Sequence, residues 1–256
     1  MLGIRSLARS CAVLVLGRKT RPRTILRGLA SGYRICVSPA GNLGYLLGTF
    51  EPHLQRAIKQ YVAAGDTVYD IGANIGHVSL SLAKRVGSRG RVFAFEPVPW
   101  NADLLRRNIE DNGITNVQLL EVAASDNGDE AVMRIADDNP DMASLVWHRN
   151  DPSALELVIK RVVIDNLVEA GTLTEPKFVK IDVEGAEGQV LQGMRRTLAK
   201  AAPVVFIECS DAGRETSWHL LSELGYRCQS AVTRKSINAF EEYRHSDFLW
   251  LPPARR

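Results

Sequence analysis

Two stretches of this chain constrain its fold more than any other part: Val68-Tyr69-Asp70-Ile71-Gly72-Ala73-Asn74-Ile75-Gly76 and, further on, Arg91-Val92-Phe93-Ala94-Phe95-Glu96-Pro97. The first is a short apolar strand that ends in an acid and breaks into a glycine turn. It then enters a helix whose apolar positions are Val78, Leu82 and Val86. The second is another apolar strand ending in a carboxylate. Such a pair predicts a ligand lying across the carboxyl ends of adjacent parallel strands. Gly72 and Gly76 leave the backbone open to close approach, and Asn74 tolerates left-handed geometry better than most residues.

The chemistry of the turn selects among nucleoside-bearing ligands. A dinucleotide fingerprint, Gly-x-Gly-x-x-Gly, points a helix N-terminus at a pyrophosphate. Here the pattern is Asp70-x-Gly72-x-Asn74-x-Gly76, with an acid two residues before the first glycine. An acid suits a cationic cofactor, and S-adenosylmethionine carries an ammonium and a sulfonium; a nucleotide is the alternative. Glu96 would accept hydrogen bonds from both ribose hydroxyls.

The rest of the chain supplies a framework of alternating elements. Expected strands are Tyr33–Val37, Thr67–Asp70, Arg91–Glu96, Val117–Val122, Lys177–Asp182 and Pro203–Glu208. Expected helices are Glu51–Val62, Gly76–Val86, Pro99–Asn112, Glu187–Lys200 and one near Glu215–Leu224. Near-continuous apolar strands alternating with helices predict a doubly wound, mostly parallel α/β sheet covered on both faces. Ala131–Ile135 and Leu155–Ile164 read as strands flanking a polar loop, Ala136–Ser153, where substrate contacts are expected. Tyr226–Ala231 and Asp247–Leu251 read as a closing hairpin at the sheet edge.

The 256 residues suffice for one well-buried domain. Residues 1–31 read as a basic arm that need not be ordered, and 32–256 as a single domain. Residues 1–50 hold no Asp or Glu and carry +8 against a whole-chain +3, leaving the remainder at −5. A basic arm of this kind offers contact with an anionic membrane surface, nucleic acid or an acidic substrate. Against nucleic acid stand the lack of interleaved aromatics in the arm and an acidic body. The apolar run Cys11–Leu16 is far shorter than the ~20 residues a membrane span needs. Cys11, Cys36, Cys209 and Cys228 show no metal or redox spacing, which points to a reducing compartment, the cytoplasm by default.

Carboxylates close the strands. Asp70, Glu96, Asp182 and Glu208 fall at the ends of four expected parallel strands, along the edge where open sheets bind ligands. Asp182 would face the methionine end of the cofactor or the acceptor. Glu184 and Glu187 begin the next helix, where its dipole favours anions. For removing an acceptor proton the order of preference is Asp182, Glu184, His77, His148 and Glu51. His148 lies beside Trp147 in the long loop, where a sugar could stack. No metal set is assigned; a divalent ion, if used, would take Asp182 and Glu208.

Asp70-Ile-Gly-Ala-Asn-Ile-Gly76, Phe95-Glu96-Pro97, Val122-Ala123-Ala124-Ser125-Asp126 and Lys180-Ile-Asp-Val-Glu-Gly-Ala-Glu187, in that order, resemble the FkbM family of S-adenosylmethionine-dependent methyltransferases. Leu47-Gly48-Thr49-Phe50-Glu51-Pro52 also resembles the segment that precedes the family's glycine motif. The resemblance runs from about residue 32 onward. It implies the class I, Rossmann-like fold with a seven-stranded sheet and an antiparallel last strand. It also implies cofactor contacts from Asp70, Gly72, Ala73, Asn74, Gly76, Glu96, Pro97, Ala123, Ala124 and Asp182. Catalysis would fall to Asp182, Glu184 and His77, the last standing where an aromatic residue is expected. Family members are similar in methylating hydroxyls of sugars, glycolipids or secondary metabolites, so a small-molecule or carbohydrate acceptor is expected. An RNA or protein methyltransferase using the basic arm, and a non-catalytic S-adenosylmethionine-binding module, are the alternatives.

Overall fold

The computed structural model describes residues 20–38, 43–135, 143–144, 155–209, 211–242 and 246–254. Residues 1–19, most of the loop expected at Ala136–Ser153, and Trp147 and His148 within it lie outside the described residues. The chain opens with β1 (Arg21–Thr24), β2 (Arg34–Val37), α1 (Leu43–Leu47), α2 (Pro52–Tyr61), β3 (Thr67–Ile71), α3 (His77–Val86), β4 (Arg91–Phe95) and α4 (Pro99–Glu110). It continues through β5 (Val117–Leu120), β6 (Ala123–Ala124), β7 (Ala131–Ile135), β8 (Ala143–Ser144), β9 (Leu155–Ile159), β10 (Arg161–Val162) and α5 (Ile164–Glu169). It closes with β11 (Phe178–Ile181), α6 (Glu187–Gly193), α7 (Arg195–Ala201), β12 (Val204–Glu208), α8 (Asp211–Glu223), β13 (Arg227–Ser230), β14 (Ser236–Ile237) and β15 (Asp247–Leu251).

The central sheet runs β14-β13-β15-β12-β11-β3-β4-β5. Ladders from β5 through β12 are parallel, and β15 lies antiparallel between β12 and β13. This is the class I, Rossmann-like arrangement with an antiparallel last strand. The closing hairpin forms as expected, with its second strand innermost. Ser236–Ile237 adds an eighth strand to the seven expected, pairing antiparallel with β13. The chain order reverses between β3 and β11, so the carboxyl ends of those strands flank the crevice where such sheets bind ligands.

Alternation of side chains sorts the core into two layers. Val68, Val92, Phe178 and Phe206 pack with Leu54, Ile58, Val78 and Leu82 of α2 and α3. Tyr69, Phe93, Val179 and Val205 pack with Val190, Leu191, Leu198 and Leu220 of α6, α7 and α8. Burial on both faces explains why these strands are near-continuous apolar runs, interrupted only at Asp70 of β3 and Lys180 of β11 among their buried positions.

Several elements differ from expectation for tertiary reasons. The helix expected over Glu187–Lys200 breaks at Met194 (φ −124°, ψ 19°), which separates α6 from α7. Gly193 lies so close to Ser125 that a Cβ there would stand 1.9 Å from the Ser125 carbonyl oxygen. The strand expected over Val117–Val122 ends at Leu120, and Ala123–Ala124 turns away to pair with Arg161–Val162. The helix expected near Glu215 begins at Asp211, and α1 and α5 were not expected from periodicity. β1, inside the stretch read as a basic arm, pairs antiparallel with β2, and Ile25 behind it is fully buried with Ile35, Leu46 and Leu80. Among the described residues no helix is long and apolar enough to cross a membrane.

Candidate active site

The site is built from register. Asp70 on β3 stands opposite Lys180 on β11, and parallel neighbours share a face, so the two side chains meet inside the molecule. Lys180 is almost wholly buried. Its Nζ donates to the Gly72 carbonyl at 2.7 Å and lies 3.6 Å from Asp70 Oδ1 and 3.3 Å from Asp182 Oδ2. The Ser79 hydroxyl of α3 donates to Asp70 Oδ2 at 2.5 Å. Burial acts against the Lys180 ammonium, but Asp182, Asp70 and Glu51 hold it charged, well above the ordinary lysine range. Burial pushes the Asp70 carboxyl upward, opposed by Lys180 and Ser79. One ammonium thus ties the strand end, the glycine turn and Asp182 together.

The turn carries the backbone geometry expected of it. Gly72 has φ +79°, Asn74 +50° and Gly76 +90°. The need for glycine has a second source, because a Cβ on Gly72 would stand 1.8 Å from the Asp182 carbonyl oxygen and one on Gly76 2.2 Å from Leu105. Packing of strand, turn and helix therefore demands both glycines before any ligand arrives.

Glu96, at the end of β4, is buried and aims back across the turn. Its Oε2 accepts from the Asn74 N–H at 2.8 Å and its Oε1 from the Val98 N–H at 3.0 Å. Asn101 Nδ2 approaches Oε1 at 3.5 Å. Burial raises this carboxyl, and the three donors oppose the shift. A carboxylate accepts about four hydrogen bonds, so with three donors in place capacity remains for one hydroxyl. Glu96 fronts an open cavity of about 630 Å³. One end is apolar, walled by Phe95, Val98, Val122, Ala123, Ala124 and Met133; the other is formed by Gly72, Asp182 and Glu184.

On the far side of Asp182 the acids converge. Stepping by two along β11 and β12 puts Lys180, Asp182 and Glu208 on the face covered by α2, and Glu51 immediately precedes that helix. Glu51, Asp182 and Glu208 each offer an oxygen within 4.8 Å of the others, a spacing that a divalent ion could also span. Burial raises Glu51 to about 8, against the pull of Lys180 and with the help of Asp182, Glu208 and Asp70. Burial, then Asp182 and Asp247, raise Glu208 to about 7, again against Lys180. Two groups here titrate close to neutrality.

A model of the methyltransferase FkbM domain matches residues 70–228, more than half of the chain. The chain belongs to the FkbM methyltransferase domain family. Among curated relatives, hexuronic acid methyltransferase AglP of Haloferax volcanii is 32% identical over 149 residues, 58% of this chain and 58% of that one. Protein-L-isoaspartate O-methyltransferase of Aeropyrum pernix is 33% identical over 100 residues, 39% of this chain and 34% of its own. Among solved structures, methyltransferase FkbM from Methylobacillus flagellatus superposes with a TM-score of 0.47 at 19% identity, covering 73% of this chain and 43% of that one. The chain spans less than two thirds of the length of each of these three.

The cofactor of FkbM methyltransferases is S-adenosylmethionine, and the residues around the cavity fit it. An apolar end matches an adenine, a buried carboxylate with spare capacity matches a ribose hydroxyl, and the acidic end beside a glycine matches a cationic methionine portion. Gly72, Asn74, Glu96, Pro97, Ala123, Ala124 and Asp182 line the cavity. Asp70, Ala73 and Gly76 do not: Asp70 stands behind the turn with Lys180 and Ser79, and Ala73 packs on Ala94 and Leu105. Glu184 lines the cavity with its backbone at φ +52°, and burial raises its carboxyl.

His77 sits elsewhere. Its ring packs 5.0 Å from Tyr45 and 5.4 Å from Phe50, outside the cavity lining, and burial lowers it to about 4. Glu187 is fully buried; it accepts from the Gly185 N–H at 2.8 Å, and Gly213 of α8 packs directly against its carboxylate. Sequence reasoning passed over Lys180, Asn101 and Met133 and ranked Glu51 last. Lys180 had a legible signal: a lysine inside Phe178–Ile181, a strand buried on both faces, needs anionic partners.

Proposed function

We propose that this chain is a methyltransferase that moves the methyl group of S-adenosylmethionine to an oxygen of a sugar or similar small hydroxylated acceptor. The observation that carries the reading is the meeting, at Asp182 and one sheet edge, of the cavity lined by Gly72 and Glu96 with the carboxylates of Glu51 and Glu208. The name of the archaeal relative, a hexuronic acid methyltransferase, supports a carbohydrate acceptor.

Bound S-adenosylmethionine supplies an electrophilic methyl carbon. Glu96 and the apolar wall hold the nucleoside, while Gly72, Asp182 and Glu184 meet the charged end. Holding the acceptor oxygen in line is worth roughly 7–11 kcal/mol in favourable cases. Glu208 and Glu51 take the acceptor proton, a contribution of about 10²–10⁴ in rate, because a base works best when its pKa lies near the working pH. Asp182, bound to the Lys180 ammonium, orients the group rather than receiving the proton. Cys36, Cys209 and Cys228 are buried and form no disulfide among the described residues, and we place the protein in the cytoplasm.

The test is incubation with methyl-labelled S-adenosylmethionine and a panel of free and lipid-linked saccharides, followed by mass spectrometry. A product heavier by one methyl on oxygen is expected. Label appearing only on RNA or protein would overturn the acceptor class.

A further inference from the structure

A second open cavity, of about 590 Å³, lies between α2 and the carboxyl end of β13, and nothing in the chemistry above uses it. Its polar lining includes His53, Arg56, Gln60, Tyr61, Ser230 and Arg234, and no acid contributes to it. Two cationic side chains in one cavity without a carboxylate is a composition that selects for an anion.

The cations are available. Arg56 and Arg234 are both exposed, and among the described residues neither forms an ion pair. The Nδ1 of His53, buried at the inner wall, has no hydrogen-bond partner there. The frame around them is held: the Arg234 N–H donates to the Ser230 carbonyl at 2.8 Å, and the Ser230 hydroxyl accepts from the Thr233 N–H at 3.1 Å. The mouth therefore presents two guanidinium forks to whatever enters, with the His53 ring in the wall beside them.

Its position relates it to the reaction. His53 follows Glu51 by two residues on the first turn of α2. Ala231, on the opposite wall, donates from its N–H to the Asp247 carbonyl at 3.0 Å, and Asp247 is the ladder partner of Glu208. Through α2 and the β13-β15-β12 ladders the cavity thus connects to the acidic cluster, on the side of the sheet away from the cofactor cavity. A negatively charged group on the acceptor is repelled by the acidic cluster to the extent that its carboxyls are ionised and attracted by Arg56 and Arg234, so the two fields favour one end facing the methyl group.

We infer that the acceptor carries an anionic group, a carboxylate or a phosphate, which Arg56, Arg234 and His53 hold in this second cavity while a neutral hydroxyl faces the acidic cluster. The inference rests on the methyltransferase reading above. No bond forms or breaks in this cavity; it binds and orients.

Calorimetry on the full chain tests it in two stages. S-adenosylhomocysteine is titrated first, and then glucuronic acid, glucose 1-phosphate and glucose are each titrated into the saturated protein. At least one anionic sugar should bind ten-fold or more tightly than glucose, with the better of the two identifying carboxylate or phosphate. Arg56→Gln and Arg234→Gln should each weaken that binding about ten-fold, leaving S-adenosylhomocysteine affinity and thermal unfolding unchanged. Equal binding of all three sugars, binding of none, or anion binding unaffected in both variants would overturn the subsite. Failure of S-adenosylhomocysteine to bind in the first stage would instead overturn the methyltransferase reading.

Discussion

Lys180→Met is the perturbation that most directly probes the frame of the site. It removes an ammonium that is almost wholly buried, 3.6 Å from Asp70 and 3.3 Å from Asp182, together with its 2.7 Å hydrogen bond to Gly72. Asp182 is a quarter exposed and regains water, but Asp70 has no access to solvent and would keep only Ser79. Removing one partner of a buried pair costs about 3–5 kcal/mol, mainly because the other charge is stranded. At about 2–4 °C per kcal/mol for chains of this size, the melting temperature should fall by roughly 6–20 °C. Asp70→Asn combined with Lys180→Met removes the stranded charge and should recover at least half of the loss. Chemical denaturation of the parent, the single variant and the double variant measures both steps. A single variant within about 1 kcal/mol of the parent, or a double variant no more stable than the single, would refute the coupling of Asp70 and Lys180.

Other residues yield sharper, smaller tests. Glu96→Gln keeps the shape of the side chain and removes its charge, so S-adenosylhomocysteine should bind about 10-fold more weakly, the difference between a charged and a neutral acceptor; calorimetry checks this. Gly72→Ala forces a Cβ to within 1.8 Å of the Asp182 carbonyl at φ +79°, whereas Gly113→Ala meets open space at φ +61°. The second should cost only the left-handed penalty of about 1–2 kcal/mol, and the first clearly more, in parallel denaturation curves. A base acts when deprotonated, and Glu208 and Glu51 are raised to about 7 and about 8. Turnover under saturating substrates should therefore rise between pH 6.5 and about 8.5 and then level, and Glu208→Gln should flatten the rise.

Much of the sheet was legible because parallel strands buried on both faces leave long apolar runs that end at the ligand-binding edge. Thr67–Ile71, Arg91–Phe95, Phe178–Ile181 and Val204–Glu208 carry that pattern, with Glu96, Asp182 and Glu208 marking the edge. What escaped depends on contacts between distant segments. The break at Met194 comes from the close approach of Gly193 to Ser125, which no periodicity records. His77 follows the glycine turn in sequence, yet its ring turns into Tyr45 and Phe50, because the first residue of α3 faces the segment before α2. Glu51 ranks last among the candidate bases by sequence, and only the packing of α2 brings it to Asp182 and Glu208.

Calorimetric titration of the purified chain with S-adenosylhomocysteine, with NAD as the control, tests the central claim most directly. Binding of S-adenosylhomocysteine in the micromolar range with no heat from NAD is the predicted result. Binding of NAD alone would show that the turn from Asp70 to Gly76 serves a dinucleotide, and would contradict the account of the site built on it.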